Sequence, residues 1–294
     1  MSVNKPVWKL RNFICQEKLY WHVLSENPNA IDLLKKNPNK INWNYLSRNP
    51  NAIELLEANP DKINWTNLSL NPNAIPILKK NLDKIFWRFL ALNPNAIKIL
   101  EENLDKIDWY YLSLNPNAIE LCKANLDKVN WTQLSLNPNA IELLKSNMNK
   151  IYWYNLSANP NAIELLESNE DKINWNQLSL NPNASKLHIS NISKLHWGFL
   201  SVNPNAIDLL EAHSKKIVWS LFSGNPNAIE LLEDYPDKIN WYQLSQNPSI
   251  FELDYETMKH NNQELYKELI REVMKPSRVF KDPNYDYIEE FFGD

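Results

Sequence analysis

Glycine is scarce in this sequence: the 294 residues include three Gly, against 18 Pro and 12 Trp. Tight hairpin turns and phosphate-binding loops draw on glycine, because it adopts positive φ and lets the backbone approach a ligand closely. A chain with three glycines supplies few such turns. Its composition therefore argues against a turn-rich β fold and against a nucleotide-binding loop, whereas short packed helices remain compatible with it.

Residues with catalytic or metal-binding chemistry are also few and scattered. Cys15 and Cys122 lie far apart and lack a metal-type spacing, which predicts free thiols in a reducing compartment. No histidine recurs or forms a metal or catalytic motif, and no nucleophile elbow or Cys–His signature occurs. The histidines are His22, His188, His196, His213 and His260. We therefore predict a protein that is not an enzyme and that uses no cofactor or metal.

Long apolar runs are absent as well. No stretch reaches the roughly 18 apolar residues that span a membrane, and the start lacks the pattern of a signal peptide. The formal net charge of −4 provides no bulk attraction to nucleic acid or to an anionic membrane. We expect no membrane partner, and net charge disfavours nucleic acid.

What the sequence has is a repeat of 22 residues with the consensus W-x-x-L-S-x-N-P-N-A-I-x-L-L-x-x-N-x-D-K-I-x. Self-similarity at a fixed period is the signature of a repeat array. We number the repeats 1 to 11 by the tryptophan that begins each one. These are Trp21, Trp43, Trp65, Trp87, Trp109, Trp131, Trp153, Trp175, Trp197, Trp219 and Trp241.

Two short helices are predicted in each repeat. The first begins at Trp, usually after an Asn or Asp that can cap it, and ends near Asn71 in repeat 3 because Pro72 disfavours a helical residue before it. The capping candidates are Asn64, Asp108, Asn130, Asn174 and Asn240. The second helix is expected to begin at the Pro, with Asn71 as its cap, and to end at Asn81 in a left-handed conformation.

Helices this short are marginal alone, so stacking between repeats must stabilise them. The sequence therefore predicts an all-α solenoid of about eleven two-helix repeats over residues 21–253. With about 9 Å between packed helices, the array would be a rod or superhelix on the order of 100 Å long. A leucine-rich repeat also allows this period, but Asn-Pro-Asn-Ala would interrupt its strand.

Both ends of an open solenoid need caps. Residues 1–20, with Trp8, Leu10, Phe13 and Ile14, are predicted to form an N-terminal capping helix. Residues 254–294 are predicted to contain a C-terminal capping helix and an acidic, aromatic tail that docks on the array or serves as a free peptide motif. The apolar face of that helix comprises Leu265, Leu269, Ile270 and Val273, and the aromatic and apolar tail residues are Tyr285, Tyr287, Ile288, Phe291 and Phe292.

The strictly recurring residues are assigned structural roles. A row of Trp could stack bases, but each Trp has apolar neighbours at fixed spacing, which favours packing. Asn precedes the repeat Pro in every copy, and such recurrence fits caps and hydrogen bonds to adjacent loops rather than an aperiodic ligand. The structural set therefore includes Trp43, Trp65, Trp87, Trp109, Trp131, Trp153 and Trp175, with Asn71, Asn93 and Asn115.

A lysine lies three residues before every repeat Trp, which predicts a row of cations along one edge. Such a row could follow a phosphate backbone, with Lys62, Lys84, Lys106, Lys128 and Lys172 as candidates. An Asp usually precedes the Lys, however, and neutralises much of its field. A solvated Asp-Lys loop is the simpler interpretation.

The positions one and two residues after Trp vary most informatively. They read Asn44-Tyr45, Thr66-Asn67, Arg88-Phe89, Tyr110-Tyr111, Thr132-Gln133, Tyr154-Asn155 and Asn176-Gln177. Amphipathic side chains of this kind are common at protein interfaces, although an unconstrained surface remains the alternative. The candidates for partner binding are Tyr45, Asn67, Phe89, Tyr111, Gln133, Asn155 and Gln177.

The copy near residues 185–197 departs from the consensus, since Ser185 replaces Ile and His188 replaces Leu. A weakened core, with a local kink, is the plain interpretation. A functional bend is the alternative.

The motif W-x-x-L-S-x-N-P-N-A-I-x-L-L resembles that of a multigene family of repeat proteins encoded by giant DNA viruses of amoebae (mimivirus-like). The likeness covers about residues 6–280, including the leader PVWKLRNFI and the closing KELIREVMKPSR, and it weakens at 185–197 and in the tail. The resemblance implies a viral protein made in host cytoplasm, with packaging in the virion as a further expectation. It carries no catalytic residues over.

Taken together, these patterns predict a non-enzymatic scaffold that binds a protein partner. The alternatives are single-stranded nucleic-acid binding along the Lys row and a structural role in the virus particle.

Overall fold

The computed structural model describes residues 6–274, and its chain forms two compact units. One unit is Leu10–Phe251, and the described part of the other is residues 6–9 with 252–274. The aromatic tail that the sequence analysis singled out, with Tyr285, Tyr287, Ile288, Phe291 and Phe292, lies outside the described residues.

Eleven short α-helices begin at the repeat tryptophans, as predicted. An Asn or Asp caps several of them, as at Asn64, whose side chain accepts a hydrogen bond from the Asn67 N–H. Their bounds are Trp21–Leu24, Trp43–Leu46, Trp65–Leu70, Trp87–Leu90, Trp109–Leu112, Trp131–Leu134, Trp153–Ser157, Trp175–Leu178, Trp197–Val202, Trp219–Phe222 and Trp241–Gln246. We call these the first helices.

The second helices begin three residues later than predicted. Pro-Asn-Ala forms a separate turn, which is a 3-10 helix at Pro28–Ala30, Pro138–Ala140 and Pro204–Ala206, and the α-helix starts after Ala. Between residues 6 and 274 these helices are Ile31–Lys36, Ile53–Glu57, Ile75–Lys79, Ile97–Glu101, Ile119–Lys123, Ile141–Lys145, Ile163–Glu167, Ser185–Ser190, Ile207–Ala212 and Ile229–Asp234. Asn71 caps the Pro turn, through its side-chain oxygen and the Asn73 N–H, rather than the helix itself.

The second helix does not end in a left-handed residue, so that prediction was wrong. Asn81 has φ −138° and ψ 52°, and no described residue has positive φ. Its side-chain amide instead donates to the Ile77 carbonyl, which satisfies a helix-end carbonyl without a left-handed turn. Short 3-10 helices then lead to the next Trp, at Gln16–Lys18, Pro38–Lys40, Pro60–Lys62, Leu82–Lys84, Leu104–Lys106, Met148–Lys150, Glu170–Lys172, Ile192–Lys194, Ser214–Lys216 and Pro236–Lys238.

Neighbouring repeats are joined by a ladder of buried asparagines, one before each repeat Pro. Asn115 is representative: its amide donates to the Ala91 and Asn93 carbonyls of the preceding repeat, both at 2.9 Å, and its oxygen accepts from the Asn117 N–H. The serine four residues after Trp adds a second link, as when the Asn130 N–H donates to Ser113 Oγ. Leu112 and Ala118 are among the fully buried residues between the layers.

The ladder continues from repeat 1 to repeat 11. Asn27 donates to the Ser245 and Asn247 carbonyls at 3.4 and 3.0 Å, with the register seen at every other junction. The Tyr20 N–H donates to Ser245 Oγ at 2.9 Å, as its counterparts do to the equivalent serine at every junction except that of repeats 4 and 5, where Ala91 replaces it. The first helices of repeats 1 and 11 also pack together. The predicted all-α array of short-helix repeats is therefore confirmed, but within Leu10–Phe251 it closes on itself, so the expectation of an open rod or superhelix about 100 Å long was wrong.

The leader joins the two ends instead of forming the predicted capping helix. Its 3-10 helix Gln16–Lys18 supplies the loop that repeat 11 lacks, and Lys18 Nζ lies 5.1 Å from the Trp241 ring, as equivalent lysines lie over their own Trp. Ile14 and Leu19 are buried. Repeat 11 is thus assembled from both ends of the unit.

Two short strands flank this closure. β1 (Trp8–Leu10) and β2 (Phe251–Leu253) form a two-stranded sheet, and the neighbouring bonds Arg11 N–H to Ile250 O and Asp254 N–H to Val7 O make it antiparallel. The long helix Tyr255–Val273 follows, as the sequence predicted. Ile270, assigned to its apolar face, is exposed; the side chains of Leu265, Leu269 and Val273 lie outside the described set.

Closure also defines an inner side of the array. Eleven repeats around a full turn require about 33° of rotation per repeat. The first helices of neighbouring repeats pack against each other more extensively than the second helices do. Because the inner layer of a curved array has the shorter path, the first helices form the inner side. The second helices face outward with exposed side chains such as Glu54, Glu57, Glu101, Glu164 and Glu167.

Candidate partner-binding row

The variable side chains at the start of the first helices form a continuous row. We define the row as the residue before each Trp and the two residues after it. All seven predicted partner candidates, Tyr45, Asn67, Phe89, Tyr111, Gln133, Asn155 and Gln177, occupy its last position in repeats 2 to 8, and each is partly exposed. The structure brings them together by placing one in every consecutive repeat.

Amide side chains link the row from one repeat to the next. Asn67 donates to the Asn44 carbonyl at 2.8 Å, and Asn155 donates to the Thr132 carbonyl at 2.7 Å. In two repeats the link is made to a tyrosine instead. Gln133 Nε2 donates to the Tyr110 hydroxyl and Gln177 Nε2 to the Tyr154 hydroxyl, both at 2.7 Å. These bonds hold the row in a fixed arrangement.

Aromatic rings are concentrated in repeats 4 to 7. The centroids of Phe86 and Phe89 are 5.3 Å apart, those of Phe89 and Tyr111 6.5 Å, and those of Tyr110 and Tyr111 5.1 Å. A further aromatic cluster lies at the closure, where the His22 ring approaches Tyr20, Tyr45 and Tyr242. Ring contacts at 4.5–7 Å stabilise such groups and leave faces and hydroxyls for a ligand.

The row carries almost no net charge. Apart from histidines, the row has two charged residues, Arg88 and Asp108. They lie next to each other, with Arg88 Nε 3.7 Å from Asp108 Oδ2. The Arg88 guanidinium also lies over the Tyr111 ring at 4.8 Å. Hydrogen bonds and aromatic contact, rather than charge, therefore dominate what this row offers a ligand.

The periodic lysines are engaged with the periodic tryptophans. In nine pairs between residues 18 and 241, Nζ lies 4.3–5.2 Å from the Trp ring centroid. The predicted anion-edge candidates belong to this set: Lys62 over Trp43, Lys84 over Trp65, Lys106 over Trp87, Lys128 over Trp109 and Lys172 over Trp153. Each contact is worth about 0.5–1 kcal/mol at an exposed site.

The repeat tryptophans are therefore neither fully buried nor displayed as open platforms. Each is partly exposed, and a lysine covers one face in most repeats. Repeats 9 and 10 differ: the rings of His213 and Tyr235 lie against Trp197 and Trp219 at centroid distances of 5.3 and 5.1 Å, tilted by 39° and 44°. These two residues stand where the other repeats have Asn, so an aromatic contact accompanies the change in sequence.

The degenerate copy keeps its place in the array. Asn203 donates to the Ser179 and Asn181 carbonyls at 3.0 Å, so the ladder passes through without a break. His188 is buried in the position of a core Leu, and its Nε2 lies 2.8 Å from the Leu178 carbonyl. Burial lowers the pKa of His188, and the bond to Leu178 opposes that shift. The imidazole of His188 is thus harder to protonate in the folded protein than in the unfolded chain.

This burial predicts a loss of stability at mildly acidic pH. The unfolded chain binds a proton at His188 near pH 6.5, whereas the folded chain binds it only at lower pH. The contribution of His188 is complete above pH 6.5 and is lost as the pH falls toward its folded pKa. We expect His188→Leu to reduce the drop in urea midpoint between pH 7.5 and pH 5.0. An unchanged pH dependence would show that His188 is not desolvated.

Two other reactive side chains, His196 and Cys122, are engaged in or buried by the fold. His196 Nδ1 accepts from the Phe199 N–H and caps a first helix, and burial raises the pKa of the Cys122 thiol to about 11. Cys15 and Cys122 are free thiols. Among the described side chains, no three His, Cys, Asp or Glu residues gather in a group that could hold a metal ion. No helix within residues 6–274 combines the length and apolar character needed to cross a membrane.

Sequence reasoning missed part of the row. The candidates all follow Trp, whereas Phe86 and Tyr152 precede it and are 46% and 49% exposed. Phe86 contacts the candidate Phe89, and Tyr152 contacts Tyr154. The available signal was that the position before Trp holds an aromatic residue in some repeats and an Asn or Asp cap in most others. Neither a family model, nor a curated protein, nor a solved structure matches this chain.

Proposed function

We propose that the closed array is a non-enzymatic scaffold that binds a protein partner through the row at the start of its first helices. One observation carries the proposal. The row varies between repeats, whereas the residues that hold the repeats together recur. If these positions served only to stack the repeats, the same residues would recur in each repeat. Variation at partly exposed positions that are hydrogen-bonded from repeat to repeat is better explained by recognition of a ligand that lacks the repeat period.

The composition of the row supports a protein rather than a nucleic acid. Tyr, Phe, Asn and Gln provide rigid contact area and adaptable hydrogen bonds, the mixture that protein-binding surfaces use. The lysines that could follow a phosphate backbone lie over tryptophan rings instead. The likeness of the repeat to giant-virus proteins makes host cytoplasm the expected location, with a viral, host or virion protein as the partner.

The first test is capture of a partner by the tagged full chain from a lysate of infected cells. We expect the triple variant Tyr45→Ala, Phe89→Ala and Tyr111→Ala to capture the partner at least about tenfold less well, because aromatic anchors carry much of the binding energy at interfaces. The matched control carries Glu54→Ala, Glu101→Ala and Glu164→Ala on the outward face and should capture it normally.

Two further measurements make this test interpretable. Circular dichroism and urea midpoints identify a triple variant that fails to fold, in which case Asn67→Ala with Gln177→Ala replaces it. Nuclease and high salt should leave capture intact. Recovery of RNA or DNA that disappears at high salt, with the triple variant unaffected, would contradict the proposal and direct attention to the Lys row.

A further inference from the structure

The row contains two pairs of inclined tyrosines, one in repeat 5 and one at Trp153. Tyr110 and Tyr154 each follow a repeat Trp directly, two repeats apart, whereas Tyr111 is the second residue after Trp109 and Tyr152 precedes Trp153. Tyr110 and Tyr111 meet at 74° with centroids 5.1 Å apart, and Tyr152 and Tyr154 meet at 53° with centroids 6.1 Å apart. Tyr110, Tyr152 and Tyr154 are 47–49% exposed. Between the pairs, repeat 6 carries the small residue Thr132. The row therefore presents two aromatic corners, and at the position of Tyr110 and Tyr154 the repeat between them has a smaller side chain.

Two of the exposed rings, Tyr110 and Tyr154, are held by hydrogen bonds from the next repeat. Gln133 donates to the Tyr110 hydroxyl and Gln177 to the Tyr154 hydroxyl, so both rings lean along the row in the same direction. Each hydroxyl accepts this bond and keeps its own proton for donation to a ligand. A preformed aromatic corner with an outward O–H donor loses little side-chain entropy on binding.

These features match one class of peptide. A polyproline II segment has no internal hydrogen bonds, so its carbonyls are free to accept from tyrosine hydroxyls, and its proline rings fit between aromatic side chains. Two repeats at about 9–10 Å each separate the corners by about 20 Å, which corresponds to about six residues of such a helix. The near-neutral row also suits an uncharged ligand, since Arg88 and Asp108 lie beside each other.

We propose that repeats 5 to 8 bind an uncharged, proline-rich segment of the partner in the polyproline II conformation, with Tyr110 and Tyr154 as its two anchors. This inference rests on the proposed function and specifies the partner for the same row. A neutral oligosaccharide also lacks charge and stacks on aromatic rings, but it needs an open flat face, whereas the inclined pairs form corners.

The test measures binding of fluorescein-labelled decaproline to the full chain by fluorescence anisotropy. We expect saturable binding that changes little between 50 and 500 mM salt, because no ion pairs form. Tyr110→Ala with Tyr154→Ala should weaken it about tenfold or more. Tyr255→Ala, which removes an exposed tyrosine outside the row, is the control and should bind normally. A Gly-Ser decapeptide should not bind.

Three results would overturn the inference: no saturable binding of decaproline, equal binding by the double variant, or binding of maltohexaose in preference to decaproline. Urea midpoints show whether the double variant is folded; if it is not, Gln133→Ala with Gln177→Ala releases both rings and should also weaken binding. Should decaproline fail while the Tyr45, Phe89 and Tyr111 variant still loses its partner, the scaffold function stands and only this ligand class is rejected.

Discussion

Replacing Asn115 by alanine is expected to lower the free energy of unfolding by about 3 kcal/mol or more, because two buried carbonyls and one partly buried N–H each lose a hydrogen bond. These groups are the Ala91 and Asn93 carbonyls and the Asn117 N–H. Water cannot replace the side chain without entering the space between two stacked repeats. Asn115→Asp should cost at least as much, because a carboxylate would face two carbonyl oxygens.

The matched control is Asn117→Ala, two residues away. Asn117 also donates to a carbonyl of the preceding repeat, Pro94 at 2.9 Å, but it is exposed, so water can take over its bond. Its loss should cost about 1 kcal/mol or less. Urea denaturation of the two variants gives the comparison. Equal costs would mean that the buried amide is not what joins the repeats.

The period and the first helices could be predicted because their causes are local. A Trp at fixed spacing, a cap before it and a Pro after it define where each first helix begins and ends. The start of the second helix could not be placed as well, because Pro-Asn-Ala is compatible both with a first helical turn and with a separate turn. The side chain of Asn71 accepts from the Asn73 N–H, and this bond favours the separate turn.

Closure could not be predicted from any single repeat. It depends on a rotation of about 33° per repeat, which arises because the inner helices pack more closely than the outer helices. Eleven such rotations add up to a full turn. The sequence did contain one indication. Repeat 11 loses the consensus after Ile250, and the leader CQEKLY carries the missing part, with Lys18 and Leu19 at the consensus Lys and Ile positions. The two incomplete ends are complementary.

The sequence predicted the position of the candidate row but not the contacts within it. Variation against a fixed consensus identifies surface positions without knowledge of the fold, and it selected the seven partly exposed candidates. Which of them touch each other depends on how far the side chains reach across a junction. The bonds of Gln133 to Tyr110 and of Gln177 to Tyr154 cross such junctions, and no local pattern predicts them.

Closure makes its own prediction at the junction of repeats 1 and 11. We expect Asn27→Ala to lower the free energy of unfolding nearly as much as Asn115→Ala, because Asn27 is buried and donates to the Ser245 and Asn247 carbonyls. In an open array repeat 1 would have no preceding repeat. The same substitution would then remove only a turn cap, at a cost of about 1 kcal/mol.

The control for Asn27→Ala is chosen in the same way as the control for Asn115→Ala. Asn29→Ala, which removes the bond to the Pro248 carbonyl, should match Asn117→Ala. Hydrogen exchange gives a second readout, because the Tyr20 N–H donates to Ser245 Oγ as the Asn130 N–H donates to Ser113 Oγ. Comparable protection of these two amides, together with a large cost for Asn27→Ala, requires that the ends of the array meet in solution. Rapid exchange at Tyr20 with a small cost requires an open array, in which the row is interrupted between Tyr242 and Tyr20.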